Sequence, residues 1–389
     1  MKNKMKTVLQ VVIELLLIPY ILYKAVKSKY TVKNMDIGLG PQPLINNVYH
    51  KKALELYGYK VETFASNPFY ITNEFDIIIS EKYDIKSFFG QFQAFLLLID
   101  LAFKYKVLYF YFNGGPLGTS TKILWRFESF FYKVANVKTV VMPYGSDIQD
   151  MSRSPNLYFK HVLNIDYKGH KKKRKDTEVR IDYWINNATH VISGCEWVDY
   201  MHAWDTLMLA HFSIDTDSII PINIKLKEEV FKIFHAPNHR AIKGSEHLIK
   251  AVEELKNDGY NIELIMLSGV SNKVILETIA TVDLVADQFV IGWYAMFALE
   301  AMSMGKPVLC YLREDLMDLY IKVELVKKDE IPILNTNVLD IKEKLIWAYN
   351  NREELSVIGK KSKVYVDKHH SLRSVGDVFD SINNDIMEK

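Results

Sequence analysis

The chain of 389 residues contains only two cysteines, Cys195 and Cys310, which lie far apart in strand-like contexts. Two distant cysteines do not make a disulfide framework, so we expect buried free thiols in a reducing compartment. The sequence also lacks any Cys/His spacing typical of a zinc site, and it lacks a Walker phosphate loop. These absences argue against a zinc protein and against a P-loop site.

An excess of either charge is nearly absent as well, since 49 Lys and Arg residues stand against 47 Asp and Glu residues. A formal net charge of +2 does not indicate a nucleic-acid partner, so any basic function must come from local clustering. Residues 169–175, GHKKKRK, form such a cluster in a predicted loop. We interpret it either as a solvated loop or as a site of attraction to anionic lipid headgroups.

One apolar run, residues 7–26, is long enough to approach a membrane span. Gln10, Glu14 and Lys24 interrupt it, and a carboxylate in the middle of a span is costly. Lysines flank both ends, which favours a helix lying in the membrane interface. A true span, or a helix packed on its own protein or a partner, remain alternatives. We assign residues 1–33 to this membrane-associating helix.

Beyond residue 33, apolar strand-like runs alternate with helical stretches, pause at a connector over residues 212–229, and resume. Such alternation predicts an α/β fold with parallel sheets covered on both faces. We predict two Rossmann-like domains, 34–222 and 223–370, facing a cleft, with ligands beyond the carboxyl ends of the strands. Residues 371–389 are predicted to form an amphipathic helix that packs back on the first domain.

Two segments of the second half suit an anionic ligand. HRAIKGS places Arg240 and Lys243 just before a helix, whose positive N-terminal end adds to their charge. In GWYAMFALE, Gly292 allows a turn and close approach to a ligand. Trp293 to Ala295 are predicted to begin a helix with unpaired N–H groups. Glu300 then lies about two turns into that helix, where its two oxygens can accept hydrogen bonds from both hydroxyls of a ribose.

Each of these residues also has an ordinary interpretation. Arg240 and Lys243 could belong to a solvent-facing basic loop, and Glu300 could lie on an ordinary helix face. A buried and unpaired Glu300 among apolar neighbours would be costly, however, which favours a binding role.

The segments HRAIKGSEHLIKAVEEL, VDLVADQF and GWYAMFALEAMSMGKPV, within residues 231–312, resemble the nucleotide-sugar-binding half of the GT-B glycosyltransferases, specifically the retaining family 4. The resemblance implies that Arg240 and Lys243 hold the diphosphate of the donor and stabilise the leaving group without a metal ion. It also implies that Glu300 is the second Glu of an E-x7-E motif and binds the ribose. The first Glu of that motif falls at Gly292, where Asp287 or Gln288 could compensate.

The first half resembles the same family more loosely, through IGLGPQPLINNVYHKKALELYGYKVETF and VVMPYGSDI. Gly38 and Gly40 belong to a turn that starts like a dinucleotide fingerprint, although Pro43 replaces its last Gly. A phosphate contact or an acceptor loop is therefore favoured over NAD binding. Asp147 matches an acidic position of the family, as a catalytic or acceptor-binding residue or else a turn aspartate. Tyr144 stands where many relatives have a His.

The interpretation that follows is a cytoplasmic glycosyltransferase, peripheral on the inner face of the cell membrane. It would transfer a sugar from a nucleotide-sugar to a lipid-linked or cell-surface glycan acceptor, with no cofactor. The Phe- and Leu-rich residues 88–103 are either a core helix or a groove for a lipid-linked acceptor. DTD at residues 215–217 is a weak metal motif in a connector. The alternatives are a non-catalytic scaffold of a glycan-assembly complex and a nucleotide-sugar epimerase.

Overall fold

The computed structural model describes residues 2–67, 72–83, 92–118, 120–219 and 230–388, and side chains from residue 5 onward. Part of the predicted apolar stretch 88–103 and most of the predicted connector lie outside the described residues. The same holds for the predicted domain boundary between residues 222 and 223.

The first domain is built on a parallel sheet that is buried on both faces. Its described strands are β1 (Met35–Leu39), β2 (Val61–Ala65), β3 (Ile77–Ile78), β4 (Tyr105–Tyr111), β5 (Lys138–Met142), β6 (His190–Gly194) and β7 (Thr206–Met208). They lie in the order β3-β2-β1-β4-β5-β6-β7, and every pairing between them is parallel. The sequence of β4, YKVLYFY, shows why: it is buried along nearly its whole length, as a central parallel strand requires.

Helices cover both faces of this sheet, and one helix, α1, comes before its first strand. Their bounds are α1 (Lys2–Lys29), α2 (Ile45–Glu55), α3 (Ile79–Lys82), α4 (Gln93–Lys104), α5 (Glu128–Val134), α6 (Leu157–Asp166) and α7 (His170–Asn187). A short 3₁₀ turn, Leu124–Phe127, leads into α5, and another, Cys195–Asp199, follows β6.

The second domain repeats the architecture with a smaller sheet. Its described strands are β8 (Phe231–His235), β9 (Ile262–Met266), β10 (Leu284–Ala286), β11 (Val308–Cys310) and β12 (Ile333–Asn335), in the parallel order β12-β11-β10-β8-β9. Its helices are α8 (Arg240–Lys243), α9 (Ser245–Asn257), α10 (Asn272–Ala280), α11 (Met296–Ser303), α12 (Glu314–Lys322), α13 (Ile341–Asn350) and α14 (Arg352–His369). The predicted α/β architecture with two parallel sheets is confirmed.

The last helix, α15 (Leu372–Glu388), returns to the first domain and lies against α2. Phe379 and Ile382 are buried with the apolar side chains of β1 and β4. Asp380 accepts a hydrogen bond from the hydroxyl of Tyr59 at 2.7 Å. A Cβ atom at Gly376 would lie 2.9 Å from the carbonyl oxygen of Ala53, so the glycine allows the two helices to approach closely.

The predicted loop over residues 169–175 is wrong, because residues 170–175 form the first turns of α7. Lysine and arginine are good helix formers, and their charged ends stay in water while Ile181 and Trp184 anchor the far half of the helix. Arg174 lies 3.1 Å from Glu178 one turn later, which supports the helix further.

Helix α1 lies on the first domain along one side and exposes apolar side chains on the other. Ile21 and Ala25 are buried in the main apolar core, while Val8, Leu15 and Leu16 are exposed. By length and composition alone, the stretch Met5–Lys29 could cross a membrane. The structure thus combines the predicted packing on its own protein with an apolar surface of the kind an interfacial helix needs.

Glu14, the carboxylate that interrupts the apolar run, is buried and fully used by the first domain. It accepts backbone N–H groups from Lys122 and Ile123 at 2.8 Å and from Leu124 at 3.2 Å. These are donors at the start of the 3₁₀ turn Leu124–Phe127, where carboxylates are stabilising. The carboxylate therefore fastens α1 to the domain.

We predict that Glu14→Ala lowers the free energy of unfolding by about 1–3 kcal/mol, because three backbone donors lose their acceptor. Glu14→Gln, which keeps one acceptor oxygen, should cost less. The measurement is urea unfolding followed by tryptophan fluorescence. The control Leu16→Ala removes an exposed side chain of the same helix and should change stability by less than about 0.5 kcal/mol. Equal effects of Glu14→Ala and Leu16→Ala would contradict the role assigned to Glu14.

Candidate functional site

A cavity of about 140 Å³ lies at the carboxyl ends of β8 and β9, between α10 and α11. Its lining residues come from both domains, since Ile45 at the start of α2 closes it from the first domain. Ala236 and Asn238 follow β8, and Ser268 and Gly269 follow β9. This is the edge at which parallel α/β sheets bind ligands.

Glu300 is the acidic residue of this cavity. It is buried on α11 and accepts a hydrogen bond from Nδ2 of Asn272 at 2.5 Å. Burial raises the pKa of Glu300 to about 7, and the negative charge of Asp287 adds to the rise. Burial raises the pKa of Tyr49 on α2, and the negative charge of Glu300 adds to the rise. Asn272, which holds this carboxylate, was not identified from the sequence.

Asp287, just after β10, connects the cationic and helical parts of the site. Its Oδ1 accepts from Nζ of Lys243 at 2.6 Å, and its Oδ2 accepts from the backbone N–H of Ala295 at 3.0 Å. Ala295 caps α11, so the carboxylate sits at the positive end of that helix. Lys243 and Asp287 are not among the residues that line the cavity, whereas Met296, Phe297 and Glu300 of α11 are. A ligand phosphate bound at the start of α11 beside Asp287 would meet both the lysine and the helix N-terminus.

Arg240 lies on the same short helix, α8, as Lys243, but its side chain pairs with a different acidic residue. Its guanidinium is exposed and pairs with Glu246 on α9 at 2.7 Å, and both side chains are more than half exposed. An exposed pair of this kind is screened by water and contributes little. Arg240 is not among the residues that line the cavity that holds Glu300.

The segment before α11 also differs from the prediction, because the helix begins at Met296 and not at residue 293. Trp293 and Tyr294 are buried, and the hydroxyl of Tyr294 pairs with Tyr365 at 2.8 Å. Gln288 holds the preceding turn through the N–H of Ile291 and the carbonyl of Trp293. These aromatic side chains anchor the segment in the core, and the amide of Ala295 is already paired with Asp287.

Gly292 is required by its neighbour Arg313 and by its own backbone. Its φ is +102°, a conformation that favours glycine, and an added Cβ would lie 2.5 Å from the Arg313 side chain. A larger side chain such as that of glutamate would therefore strain the backbone here and clash with Arg313.

Arg313 itself, which was not identified from the sequence, joins the two domains. It donates to both oxygens of Asp199, at 2.5 and 3.2 Å, and to Asp315 at 2.5 Å. Asp199 follows β6 in the first domain, and the pair is almost fully buried. Asn156 adds a second link, donating to the carbonyls of Val290 and Ile291 at 2.7 and 3.1 Å. The two domains are closed on each other along this edge.

In the first domain, Asp147 supports the turn-aspartate alternative. It is buried, and its oxygens accept the backbone N–H groups of Phe112, Tyr144 and Gly145 at 2.9–3.0 Å. Burial raises its pKa to about 7. With both oxygens accepting backbone N–H groups and the side chain buried, Asp147 positions the loops after β4 and β5.

Gly38 and Gly40 are packing residues at the end of β1. A Cβ at Gly38 would lie 2.9 Å from Leu108, and one at Gly40 would lie 2.1 Å from the carbonyl oxygen of Phe64. Both are buried, and neither is among the residues that line the cavity that holds Glu300.

No described residues form a candidate metal centre. Among the parts of the chain that the structure describes, no three or more His, Cys, Asp and Glu side chains are arranged to hold a metal ion. Asp215 of the DTD motif pairs instead with Lys52 at 3.2 Å and accepts the N–H of Ser218.

A larger cavity, about 700 Å³, lies beside Arg313 at the ends of β11 and β12. Its amide side chains already have partners: Asn335 exchanges two hydrogen bonds with the backbone of Leu312, and Asn156 binds Val290 and Ile291. We therefore place the candidate site at the smaller cavity, which holds a buried carboxylate.

Comparison with solved structures shows that the fold of this chain is a known one. No protein-family profile and no curated protein sequence matches the chain. Among solved structures it is similar to HepE from Anabaena in complex with UDP-glucose, at 13% identity and a TM-score of 0.54, covering 90% of this chain and 100% of that one.

It is also similar to sucrose-phosphate synthase from Thermosynechococcus elongatus, at 11% identity and a TM-score of 0.58, over 91% of this chain and 100% of the other. An α-glucosyltransferase in complex with UDP and a 13-mer DNA matches at 11% identity and a TM-score of 0.54, over 90% and 98% of the two chains. At such identities the likeness shows the fold alone. The chain has the GT-B fold, and that prediction is confirmed.

We predict that Gly292→Ala lowers the free energy of unfolding by about 1–3 kcal/mol, through backbone strain and the clash with Arg313. The matched control is Gly259→Ala, at a φ of +90° with open space around it. It measures the cost of the backbone conformation for alanine without a steric clash. Combining Gly292→Ala with Arg313→Ala should relieve the clash in a double-mutant cycle measured by urea unfolding. Additive effects in that cycle would refute the steric explanation.

Glu300 should make stability depend on pH. Its pKa rises from 4.5 to about 7 on folding, so the folded state binds this proton more tightly than the unfolded state. The contribution of this bound proton to the free energy of unfolding is therefore fully present below pH 4.5. It is lost as pH rises toward 7, at up to about 1.4 kcal/mol per pH unit.

The measurement compares the free energy of unfolding of wild type and Glu300→Gln between pH 4.5 and 8. The difference, wild type minus variant, should fall with pH up to about 7 and then level off. Glu253→Gln, on the exposed face of α9, serves as the control. A wild-type curve that stays parallel to the Glu300→Gln curve would show that Glu300 does not retain the proton.

Proposed function

We propose that this chain is a glycosyltransferase that transfers a sugar from a nucleotide-sugar donor to a lipid-linked or cell-surface glycan acceptor. The observation that carries the proposal is the arrangement of Lys243, Asp287 and the α11 N-terminus beside a cavity with a buried Glu300. This set offers a cation and a helix dipole for a diphosphate, and a carboxylate for ribose hydroxyls.

In the proposed reaction, Lys243 stabilises the departing nucleoside diphosphate. Its ammonium has three N–H donors, so it can keep Asp287 and still donate to a phosphate oxygen. Stabilising charge that develops on the leaving group is commonly a large catalytic contribution. We further propose the retaining course of family 4 and transfer without a metal ion, since Lys243 and the α11 N-terminus supply positive charge where the phosphates would lie.

The proposed location is the cytoplasmic face of the cell membrane. Helix α1 exposes apolar side chains and packs beside α5. Phe130 on α5 is exposed, and so is Phe127, which lies just before α5. Helix α7 contacts α5 through its C-terminal end, where Tyr183 and Asn187 are hydrogen-bonded to Ser129. It carries the exposed lysines 171, 172, 173 and 175 in its first turns. Apolar and cationic groups on neighbouring helices suit an anionic bilayer surface.

A non-catalytic scaffold is the second candidate, favoured by specific observations. Gly292 supplies no carboxylate, Asp147 is consumed by backbone donors, and Asp287 already neutralises Lys243. Release of free nucleotide from a nucleotide-sugar in the presence of membranes separates the two, since a scaffold releases none.

We predict that UDP stabilises the protein against thermal unfolding, by about 2.7 kcal/mol at ~100 times its Kd. UDP is the first nucleotide to test because two similar structures were solved with UDP or UDP-glucose, with GDP and ADP as comparisons. Lys243→Ala should abolish most of the shift. Arg240→Ala, which removes a cation three residues away, should leave it unchanged because Arg240 faces solvent.

Two results would count against the proposed site. Failure of UDP, GDP and ADP alike to stabilise wild type would remove the donor site. A loss of stabilisation in Arg240→Ala, with Lys243→Ala unaffected, would mean that the phosphates bind outside the Lys243–Asp287 pair.

A further inference from the structure

A second concave surface lies away from the candidate donor site, between α1 and α4. This groove has a volume of about 470 Å³ and a mostly apolar lining. Leu9 and Ile13 come from α1, and Phe92, Ala94 and Phe95 come from the start of α4. Some apolar side chains of α1 therefore face solvent, and others line this groove on the first domain.

The groove adjoins a smaller cavity of about 150 Å³. Both hollows are lined by Gln93, Ala94 and Ser120, so these residues form the junction between them. The Nε2 atom of Gln10 on α1 donates to the carbonyl of Ser120 at 3.2 Å, which holds α1 at this junction.

The smaller cavity differs from the groove in polarity and position. Pro41, Ser66 and Gly115 lie just beyond β1, β2 and β4, so the cavity is at the carboxyl edge of the first sheet. Asn67 and Ser80 add polar groups to its wall. The carboxyl edge is the side of a parallel sheet where ligands bind, and in this fold it faces the cleft.

The two hollows together run from an apolar groove beside an exposed apolar helix to a polar cavity at the cleft edge. A molecule that matches this gradient has a hydrocarbon chain at one end and a hydroxylated or phosphorylated group at the other. Each methylene removed from water contributes favourably, so a long chain is the natural occupant of the groove. Lys6, which also lines the groove, offers a cation to anionic headgroups around it.

We infer that the groove between α1 and α4 binds the hydrocarbon chain of a lipid-linked acceptor and directs its polar head into the cavity beyond Ser120. The inference rests on the proposed function, since an acceptor presumes sugar transfer. It narrows the proposed acceptors to amphiphiles and gives α1 a role in binding substrate as well as in contacting a membrane.

The experiment uses the full chain and dodecyl phosphate with a diazirine at the end of its alkyl chain, below its micelle concentration. After photolysis, labelled residues are mapped by mass spectrometry. We expect label on residues 9–13 and 92–95. Unlabelled alkyl phosphates should compete with affinity rising about threefold to fourfold per added CH₂.

Ala94→Trp fills the junction and should reduce this label at least tenfold. The matched control Val12→Trp adds the same side chain to α1 outside the groove lining and should leave the label in place. Leu9→Asn, at a largely exposed position that tolerates a polar group, should weaken labelling without loss of folding. Thermal unfolding of each variant, with and without UDP, reports on the rest of the molecule.

Label spread over Val8, Leu15 and Leu16, insensitive to Ala94→Trp and to chain length, would overturn the inference and mean that α1 only inserts into lipid. Cross-links between two protein molecules at the groove would overturn it in favour of a second copy. Stabilisation by UDP without groove labelling would overturn this inference and leave the donor site standing. Groove labelling without any nucleotide binding would overturn the acceptor role together with the proposed function.

Discussion

The candidate site depends on the carboxylate of Asp287, because one side chain fixes both the cation and the helix that would face a donor. Its two oxygens hold Lys243 on one side and the capping amide of α11 on the other. Without it, a buried lysine would lack its partner, and α11 would lose the residue that sets where it begins. The position of Glu300, about one turn into the same helix, follows from that start.

A second constraint is the burial of Arg313 between the domains. It binds Asp199 of the first domain, and its aliphatic part occupies the space beside Gly292. The turn before α11 and the closure of the two domains are therefore coupled: a side chain at residue 292 would disturb the cation that joins them. The longer side chain of a glutamate at residue 292 would not fit beside Arg313.

Much of the fold could be predicted from sequence because parallel strands are buried on both faces and read as continuous apolar runs. Glu300 stood out for a similar reason, as a charge in an otherwise apolar helix. Each error has an identifiable cause. The basic residues 170–175 looked like a loop because the helix is polar in its first turns. The start of α11 depends on the hydrogen bonds of Gln288 with the turn before the helix and on the contact of Tyr294 with Tyr365. The surface pairing of Arg240 with Glu246 and the burial of Asp147 are tertiary facts that spacing does not encode.

Helix α1 has one further property, which follows from where Glu14 is held. A helix turns by about 100° per residue, so fixing a single side chain fixes the direction of every other side chain around the axis. Glu14 is tied to three amides of the first domain. The rotation of α1 about its axis, which decides which residues face outward, is accordingly set by backbone groups of the first domain. It does not depend on whether the helix meets water or lipid. Any surface that α1 touches is presented with the rest of the domain in one fixed orientation.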